Sequence, residues 1–324
     1  MRIITEEEVK SKYSMKQCIE SVEQALRIQQ NKSVQTPLRT SIELKNYNGT
    51  MLYMPSYSED IGYSGVKIVS IHPNNNLENR KTLQSVLVLT DAKSGEHIAL
   101  LDASLLTVMR TGSLSGVASK YLAKENSESC LIIGCGEQAR GQISAILEVR
   151  DLSLIMLYNR TLEKVKQFEE YLRNDLSWNG EIQVLENPDE GVPQADIIVC
   201  ATNSTTPIFD GTQLKPGTHI NGIGSYQHHM QEVDVNTLKK CNRIVVDTME
   251  GVLEEAGDFI IPMASNDFSI GEIYAELGEI VIGKKKGRET NDEISFFKSV
   301  GFSILDLVVA VSIYESITKK ETVY

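Results

Sequence analysis

At 324 residues, with 41% hydrophobic and 23% charged residues, the chain has the length for two domains and the composition of a soluble globular protein. Its net charge of −12 offers no basic face to neutralise phosphates, which excludes nucleic acid as a partner. The five cysteines (Cys18, Cys130, Cys135, Cys200, Cys241) show neither a Cys-x-x-Cys pair nor metal-ligand spacing, so no metal site is expected and a reducing compartment fits.

The acidic start, Thr5-Glu6-Glu7-Glu8, is unlike a signal peptide, and the chain is expected to be cytoplasmic. Thr5 with Glu8 resembles a capping box. Ile19, Val22, Ala25, Leu26 and Ile28 recur at helical spacing, so residues 5–31 predict a helix-rich start. Short strand-like runs follow at Thr40–Leu44, Thr50–Met54, Gly65–Ile71, Ser85–Thr90 and His97–Leu101. Asn48-Gly49, Pro73-Asn74-Asn75-Asn76 and Ser94-Gly95 separate them as turns, and the region reads as an antiparallel sheet. Asp102 to Lys124 reads as a helix with Asp102 at its N-cap. Further strands are expected at Glu181–Leu185, Ile197–Ala201, His219–Gly222 and Arg243–Val246, with helical patterns between several of them, as in a parallel sheet covered on both faces. Lys284-Lys285-Lys286-Gly287-Arg288 reads as a solvated loop. Ile294 to Ile317 reads as helical, returning to pack on the first domain. Its apolar part, Phe302 to Ile313, is too short to span a bilayer, and Asp306 interrupts it; no membrane association is expected.

The chain is organised around Cys130 to Gly141. Leu131-Ile132-Ile133 reads as a buried strand. It ends in Gly134-x-Gly136-x-x-Ala139, a helix-compatible segment follows, and a second apolar run, Leu154–Tyr158, completes a βαβ unit. In such a unit Gly134 makes the tight turn, Gly136 lets the backbone approach a pyrophosphate, and Ala139 allows close helix–strand packing. The phosphates then lie at a helix N-terminus. The alternative is a tight turn without a ligand. The second strand runs into Tyr158-Asn159-Arg160-Thr161, without the carboxylate that holds the ribose 2′-hydroxyl of NAD. Arg160 can pair with a 2′-phosphate instead. NADP(H) is therefore the expected cofactor, with NAD(H) as the alternative; the competing view of Arg160 is a solvated loop residue.

Arg39, Met54-Pro55, Gly65-Val66-Lys67, His72-Pro73, Arg110-Thr111, Gly134–Ala139, Asn159-Arg160-Thr161, Gly287-Arg288-Glu289 and Glu293 through Gly301 fall in one order. Together they resemble the ornithine cyclodeaminase/mu-crystallin family, from about Arg39 to Ala310. The resemblance implies an α/β fold: a Rossmann-type doubly wound parallel sheet, residues 119–301, plus an α+β substrate-binding and dimerisation domain, residues 1–118 with 302–324. It also implies a homodimer. Members handle a carbon bearing both nitrogen and a carboxylate, and pass hydride to or from nicotinamide.

Carried onto this sequence, the resemblance puts Arg39, Lys67 and Arg110 on the substrate carboxylate, with Lys67 and Arg110 also catalytic. It assigns cofactor contacts to Thr82, Thr111, Gly134, Gly136, Glu137, Gln138, Ala139, Asn159, Arg160, Thr161, Thr202, Ser299 and Gly301. Ser225 stands where cyclodeaminases carry a catalytic aspartate and is assigned to substrate binding. Leu52 stands where they carry a glutamate for the substrate's second amine. Both departures favour the ketimine-reductase side of the family. The expected reaction is NAD(P)H-dependent reduction of a small cyclic 2-imino acid, Δ1-pyrroline-2-carboxylate to L-proline first and Δ1-piperideine-2-carboxylate to L-pipecolate second. The proton donor is open between Lys67 and a bound water. The alternatives are an ornithine cyclodeaminase, an alanine-type dehydrogenase and a crystallin-like NADPH-binding protein without turnover. His228 and His229 are adjacent and lack a third ligand, so metal binding is not expected, although one of them could serve as a proton donor. His72 reads as structural and Asp247 as a cap for the segment after it.

Overall fold

The computed structural model describes residues 1–78 and 80–321, the side chains of 76–78 and 319–321 excepted. Two compact units emerge: Met1–Arg110 together with the segment from Phe302 onward, and Thr111–Gly301. The division at Arg110/Thr111 falls in the same helix, Ser104–Leu122, as the expected boundary at 118/119. Residues 322–324 of the expected first domain lie outside the described residues.

The first unit is built on strands β1 (Arg2–Ile4), β2 (Val34–Gln35), β3 (Thr40–Leu44), β4 (Gly49–Ser58), β5 (Tyr63–Ile71), β6 (Leu83–Asp91) and β7 (His97–Asp102). They order as β1-β7-β6-β5-β4-β2, with β3 also pairing to β4. Every pairing is antiparallel except β1 on β7, a short parallel edge that the sequence did not reveal. Alternation along the strands turns Met54, Lys67, Val69, Leu87 and Leu89 to the buried face. The Ser303–Glu321 helix packs on β4, β5 and β6 and also on the Met15–Gln30 helix. The helix-rich start consists of two helices. Thr5 caps Glu6–Lys12 through its box with Glu8, and Ser14 starts the next helix through a box with Gln17. On the outer face of the sheet, Pro55, Val66, Val88 and Leu100 stand opposite one another across four strands, beside Ile68 and the exposed Val86.

The second unit is an all-parallel sheet of β8 (Ser129–Ile133), β9 (Leu154–Tyr158), β10 (Glu181–Val184), β11 (Ile197–Cys200), β12 (His219–Gly222), β13 (Arg243–Val246), β14 (Ile273–Glu276) and β15 (Ser295–Lys298). The order is β10-β9-β8-β11-β12-β15-β13-β14. The chain leaves β8 toward β9 on one side and reaches β11 on the other, so the direction of winding switches between β8 and β11. Ligands of open parallel sheets bind at such a point. One core lies on each face. Leu131, Ile133, Ile198 and Phe296 belong to the first, and Cys130, Ile132, Ile155 and Val199 to the second. Gly112 meets the backbone of Gly141 so closely that a Cβ would collide with it, and Gly116 stacks on Ala145. That is how the Glu137–Leu147 helix comes tight against residues 112–122.

The structure corrects the expected helix from Ile294 to Ile317. Ser295–Lys298 is a strand, every residue of it buried, between β12 and β13. The helix begins only at Ser303. A short apolar run buried on both faces has no period that separates strand from helix. The nucleotide-binding unit is thus incomplete without β15. Strand β14 was also missed. Asp102 closes β7 and accepts a hydrogen bond from the Ser104 N–H at 2.9 Å. Among the described residues, no helix is long and apolar enough to cross a membrane.

Candidate active site

The first unit assembles a buried cluster of charge. The pleat of β5 turns Lys67 inward, opposite Met54 on one side and Leu87 on the other. Arg110 comes from the Ser104–Leu122 helix and Asp306 from the first turn of the Ser303–Glu321 helix. Lys67 Nζ lies 2.7 Å from Asp306 Oδ2, and Arg110 Nε donates to Asp306 Oδ1 at 3.0 Å. Lys67 and Asp306 are 2% and 1% exposed, and Arg110 6%. A charge so far from water needs a partner, and Asp306 serves two. It takes the Nε edge of Arg110, and the two terminal nitrogens remain the donors with which a planar carboxylate can be gripped.

Burial is the largest influence on Lys67 and brings its pKa down to about 8; Asp306 opposes the fall, and Arg110 and, more weakly, Arg39 add to it. Arg39, half-buried between β2 and β3, is thus within electrostatic range of Lys67. Two of the three expected cations, Lys67 and Arg110, are brought together on one carboxylate, with Arg39 in electrostatic range of Lys67. Burial would raise the Asp306 pKa, but Lys67 and Arg110 outweigh it and hold the carboxyl low. Two buried cations, Lys67 and Arg110, against the one carboxylate of Asp306 leave a net positive charge that favours a further carboxylate. Asp306 was read in the sequence only as an interruption of an apolar stretch. A lone carboxylate in such a stretch is itself the signal that a cation is buried beside it.

The second unit carries the dinucleotide loop. Gly134 has φ +98°, and a Cβ there would stand 2.5 Å from the Ala201 carbonyl oxygen. Gly136 is the extended N-cap of the Glu137–Leu147 helix and provides no side-chain cap, and a Cβ on it would meet nothing within 4 Å. The first N–H groups of that helix thus receive no side-chain cap from Gly136, and the space beside Gly136 is open, as the approach of a pyrophosphate requires. Ala139 is fully buried, Glu137 is exposed, and the Gln138 amide oxygen is buried without a partner. The residues present fit a dinucleotide.

Asn159 is a brace for this loop: its Oδ1 accepts from the Cys135 N–H at 3.2 Å, and its Nδ2 donates to the Thr161 carbonyl at 3.0 Å. Arg160 and Thr161 are exposed, and the Thr161 hydroxyl does not cap the helix it precedes. Thr202 lies beside Gly134 and bonds Glu232 through its N–H and hydroxyl at 2.6 and 2.8 Å. Thr111 is half-buried on its helix.

Asp247 was expected to cap the next helix but does not; Thr248 caps it through its hydroxyl. Asp247 Oδ2 instead accepts from Ser299 Oγ and from the N–H groups of Val300 and Gly301, at 2.8, 2.9 and 2.7 Å. It fixes the turn after β15, where Gly301 takes φ +79°. The Ser225 hydroxyl donates to the Met230 carbonyl of its own loop at 2.7 Å and accepts from the N–H of Asp258, in the Gly257–Ala264 helix, at 3.3 Å. Thr82 lies in the first unit, exposed just before β6, where its carbonyl accepts from the His72 N–H. The His72 ring packs on Gly49, and His228 and His229 are exposed. Among the described residues, no three His, Cys, Asp or Glu side chains are grouped to hold a metal ion.

The sequence model of the family described as "Ornithine cyclodeaminase/mu-crystallin family" matches residues 1–321. Delta(1)-pyrroline-2-carboxylate reductase of Bacillus cereus (strain ATCC 14579) is 42% identical over 315 residues, covering 97% of this chain and 96% of that protein. The structure of Thermococcus litoralis Delta(1)-pyrroline-2-carboxylate reductase in complex with NADH and L-proline superposes with a TM-score of 0.94 at 41% identity, covering 99% of this chain and 98% of that one. An archaeal alanine dehydrogenase dimer with bound NAD gives a TM-score of 0.89 at 32% identity, covering 99% and 97%.

Proposed function

This chain belongs to the ornithine cyclodeaminase/mu-crystallin family, and we propose that within it the chain reduces Δ1-pyrroline-2-carboxylate to L-proline, at the expense of a nicotinamide cofactor. The observation that carries this is the buried Lys67–Asp306–Arg110 cluster with Arg39 in range, in a chain 42% identical to a protein of that activity. Δ1-Piperideine-2-carboxylate, giving L-pipecolate, shares the same carboxylate and imine and is the second substrate.

Arg110 and Arg39 hold the substrate carboxylate, and charge-assisted bonds of this kind contribute roughly 1.5–3 kcal/mol each. The grip fixes the ring and so the position of C2. Lys67 carries its proton below about pH 8 and is the donor that keeps the imine nitrogen protonated; an iminium accepts hydride where a neutral imine resists it. When bound, the reduced nicotinamide supplies that hydride. Asp306 stays ionised and offsets the repulsion between the buried Lys67 and Arg110.

The dinucleotide is held by the Gly134–Ala139 loop, the Ser299–Gly301 turn, and Thr111 and Thr202. The exposed Arg160 and Thr161, and the absence of a carboxylate beside them, support a preference for NADPH, with NADH also accepted. The apolar row on the outer face of the first unit's sheet supports a homodimer through that face. Five unpaired cysteines, four of them buried, support a cytoplasmic setting.

The test is dinucleotide oxidation with freshly generated Δ1-pyrroline-2-carboxylate, with NADPH and NADH in parallel. Pyruvate plus ammonium, and ornithine with catalytic NAD, serve as rivals. Turnover confined to the imino acids supports the proposal. Turnover with pyruvate plus ammonium alone assigns an alanine-type dehydrogenase. If kcat/KM with NADPH does not exceed that with NADH, or if Arg160→Ala leaves the ratio unchanged, the cofactor preference is wrong.

A further inference from the structure

Three ionisable side chains of the second unit, remote in sequence, are buried together without solvent exposure: Glu232, Asp258 and Lys298. Their partners explain them. Glu232 Oε1 accepts from the N–H and the hydroxyl of Thr202, at 2.6 and 2.8 Å, and Oε2 accepts from the Gly224 N–H at 2.7 Å. Thr202 follows β11, and Gly224 follows β12. Asp258 holds the Glu232 backbone in turn, accepting from the N–H groups of Glu232 and Val233 at 2.7 and 3.1 Å, and Lys298 lies 2.8 Å from its other oxygen.

We infer that Glu232 is a positioning residue for the bound dinucleotide, one carboxylate bridging the loops that leave the C-terminal ends of β11 and β12. These ends lie at the edge of the sheet where open parallel folds bind their ligands. The bridge is specific to a carboxylate. Every group bonded to the Glu232 carboxylate donates, and only an ionised carboxylate accepts on both oxygens. Glutamine has one acceptor, so its NH₂ would face either the Thr202 or the Gly224 N–H, donor against donor. The loops have no slack to turn away, because a Cβ on Gly224 would collide with the Thr202 carbonyl and with Glu232 itself.

The bridge also titrates. Burial pushes the Glu232 pKa up to about 7, with Lys298 opposing and Asp258 adding to the rise. Asp258, Lys298 and the buried Cys200 thiol, which burial pushes far above its usual range, are the ionisable groups facing it. The carboxylate is intact above about pH 7 and gains a proton below it, which removes an acceptor.

The inference uses the proposed reduction only for its kinetic readout; its primary readout is dinucleotide affinity. The experiment is NADH and NADPH binding to the full chain between pH 6 and 8, for wild type, Glu232→Gln, Thr202→Val and Thr202→Ser. Wild type should bind about fivefold more weakly at pH 6 than at pH 8, as the carboxylate goes from mostly ionised to mostly protonated. Glu232→Gln should lose about tenfold at pH 8 and show no such pH dependence, with kcat lowered and KM for the imino acid unchanged. Thr202→Val should weaken binding and Thr202→Ser, which keeps the hydroxyl, should restore it; this pair decides the matter if Glu232→Gln does not fold. A folded Glu232→Gln with wild-type affinity and pH dependence, or a Thr202→Val indistinguishable from Thr202→Ser, overturns the inference. If the wild type reduces no imine but the affinity pattern holds, the proposed function fails and the role of Glu232 stands. A chain that binds neither dinucleotide overturns both.

Discussion

Replacing Asp306 by asparagine keeps the shape of the side chain and removes the one anion between Lys67 and Arg110. The Lys67 ammonium is 2.7 Å from Asp306. Two unit charges at that separation attract by about 1.5 kcal/mol under water-like screening and about 6 kcal/mol at an effective dielectric of about 20. Divided by about 1.4 kcal/mol per unit, this is roughly 1 to 4 pKa units of support for the charged lysine. Lys67 sits at about 8 with that support. Asp306→Asn should therefore lower it by at least about one unit, with burial and the two arginines unopposed. In the proposed mechanism reduction needs the protonated lysine, so kcat/KM should fall on the alkaline side of its pKa. The assay is kcat/KM for Δ1-pyrroline-2-carboxylate from pH 6 to 10, variant against wild type; the substrate's own titration is common to both and cancels in the comparison. The alkaline limb should lie near pH 8 in the wild type and at least about one unit lower in the variant. Stability gives a second reading. The folded pKa of Lys67, about 8, is below its unfolded value of about 10.4. The unfolded chain binds more protons between those values, and stability rises with pH across that window. In Asp306→Asn the rise should begin at lower pH, on a baseline reduced by about 3 kcal/mol at neutrality for a broken buried pair. Superimposable alkaline limbs would refute the reasoning.

Two glycines of the dinucleotide loop should respond in opposite ways. Gly134→Ala sets a methyl 2.5 Å from the Ala201 carbonyl at φ +98° and should cost about 2 kcal/mol of stability by urea denaturation; no loss would mean the loop is not held as described. Gly136→Ala has open space around the added methyl and should lose no more than about 1 kcal/mol of stability, yet bind NADH at least about tenfold more weakly, as the methyl takes room required by the pyrophosphate; unchanged affinity would place the phosphates elsewhere. Val86→Glu puts a charge into the outer apolar row, and light scattering should find a monomer in place of the wild-type dimer; a wild type that is itself monomeric would refute the use of that face.

The strands of the first sheet were legible because they follow from periodicity. Lys67 was not: the family resemblance singled it out, and in the structure it shares the buried face of β5 with Gly65 and Val69. The Gly134–Ala139 loop was legible because a strand, two glycines and a helix leave few other folds. What stayed hidden was set by partners distant in sequence. Ser295–Lys298 was read as helix, because its character as a strand comes from β12 and β13 on either side. Asp247 was read as a local cap, yet its acceptors serve a turn more than fifty residues on. Asp306 and Glu232 are ordinary acids in the sequence. Only burial beside Lys67 and Arg110, and between Thr202 and Gly224, gives them work to do.

The central claim is that a buried cationic site selects a carboxylate-bearing cyclic imine for reduction. The most direct measurement is oxidation of NADPH or NADH by the wild-type chain with Δ1-pyrroline-2-carboxylate, against Δ1-pyrroline, the same ring without the carboxylate. Rapid turnover of the first to L-proline, with the second slower by at least about a hundredfold as two charge-assisted bonds are lost, is the predicted result. Equal turnover of both, or none with the carboxylate-bearing imine, would contradict it.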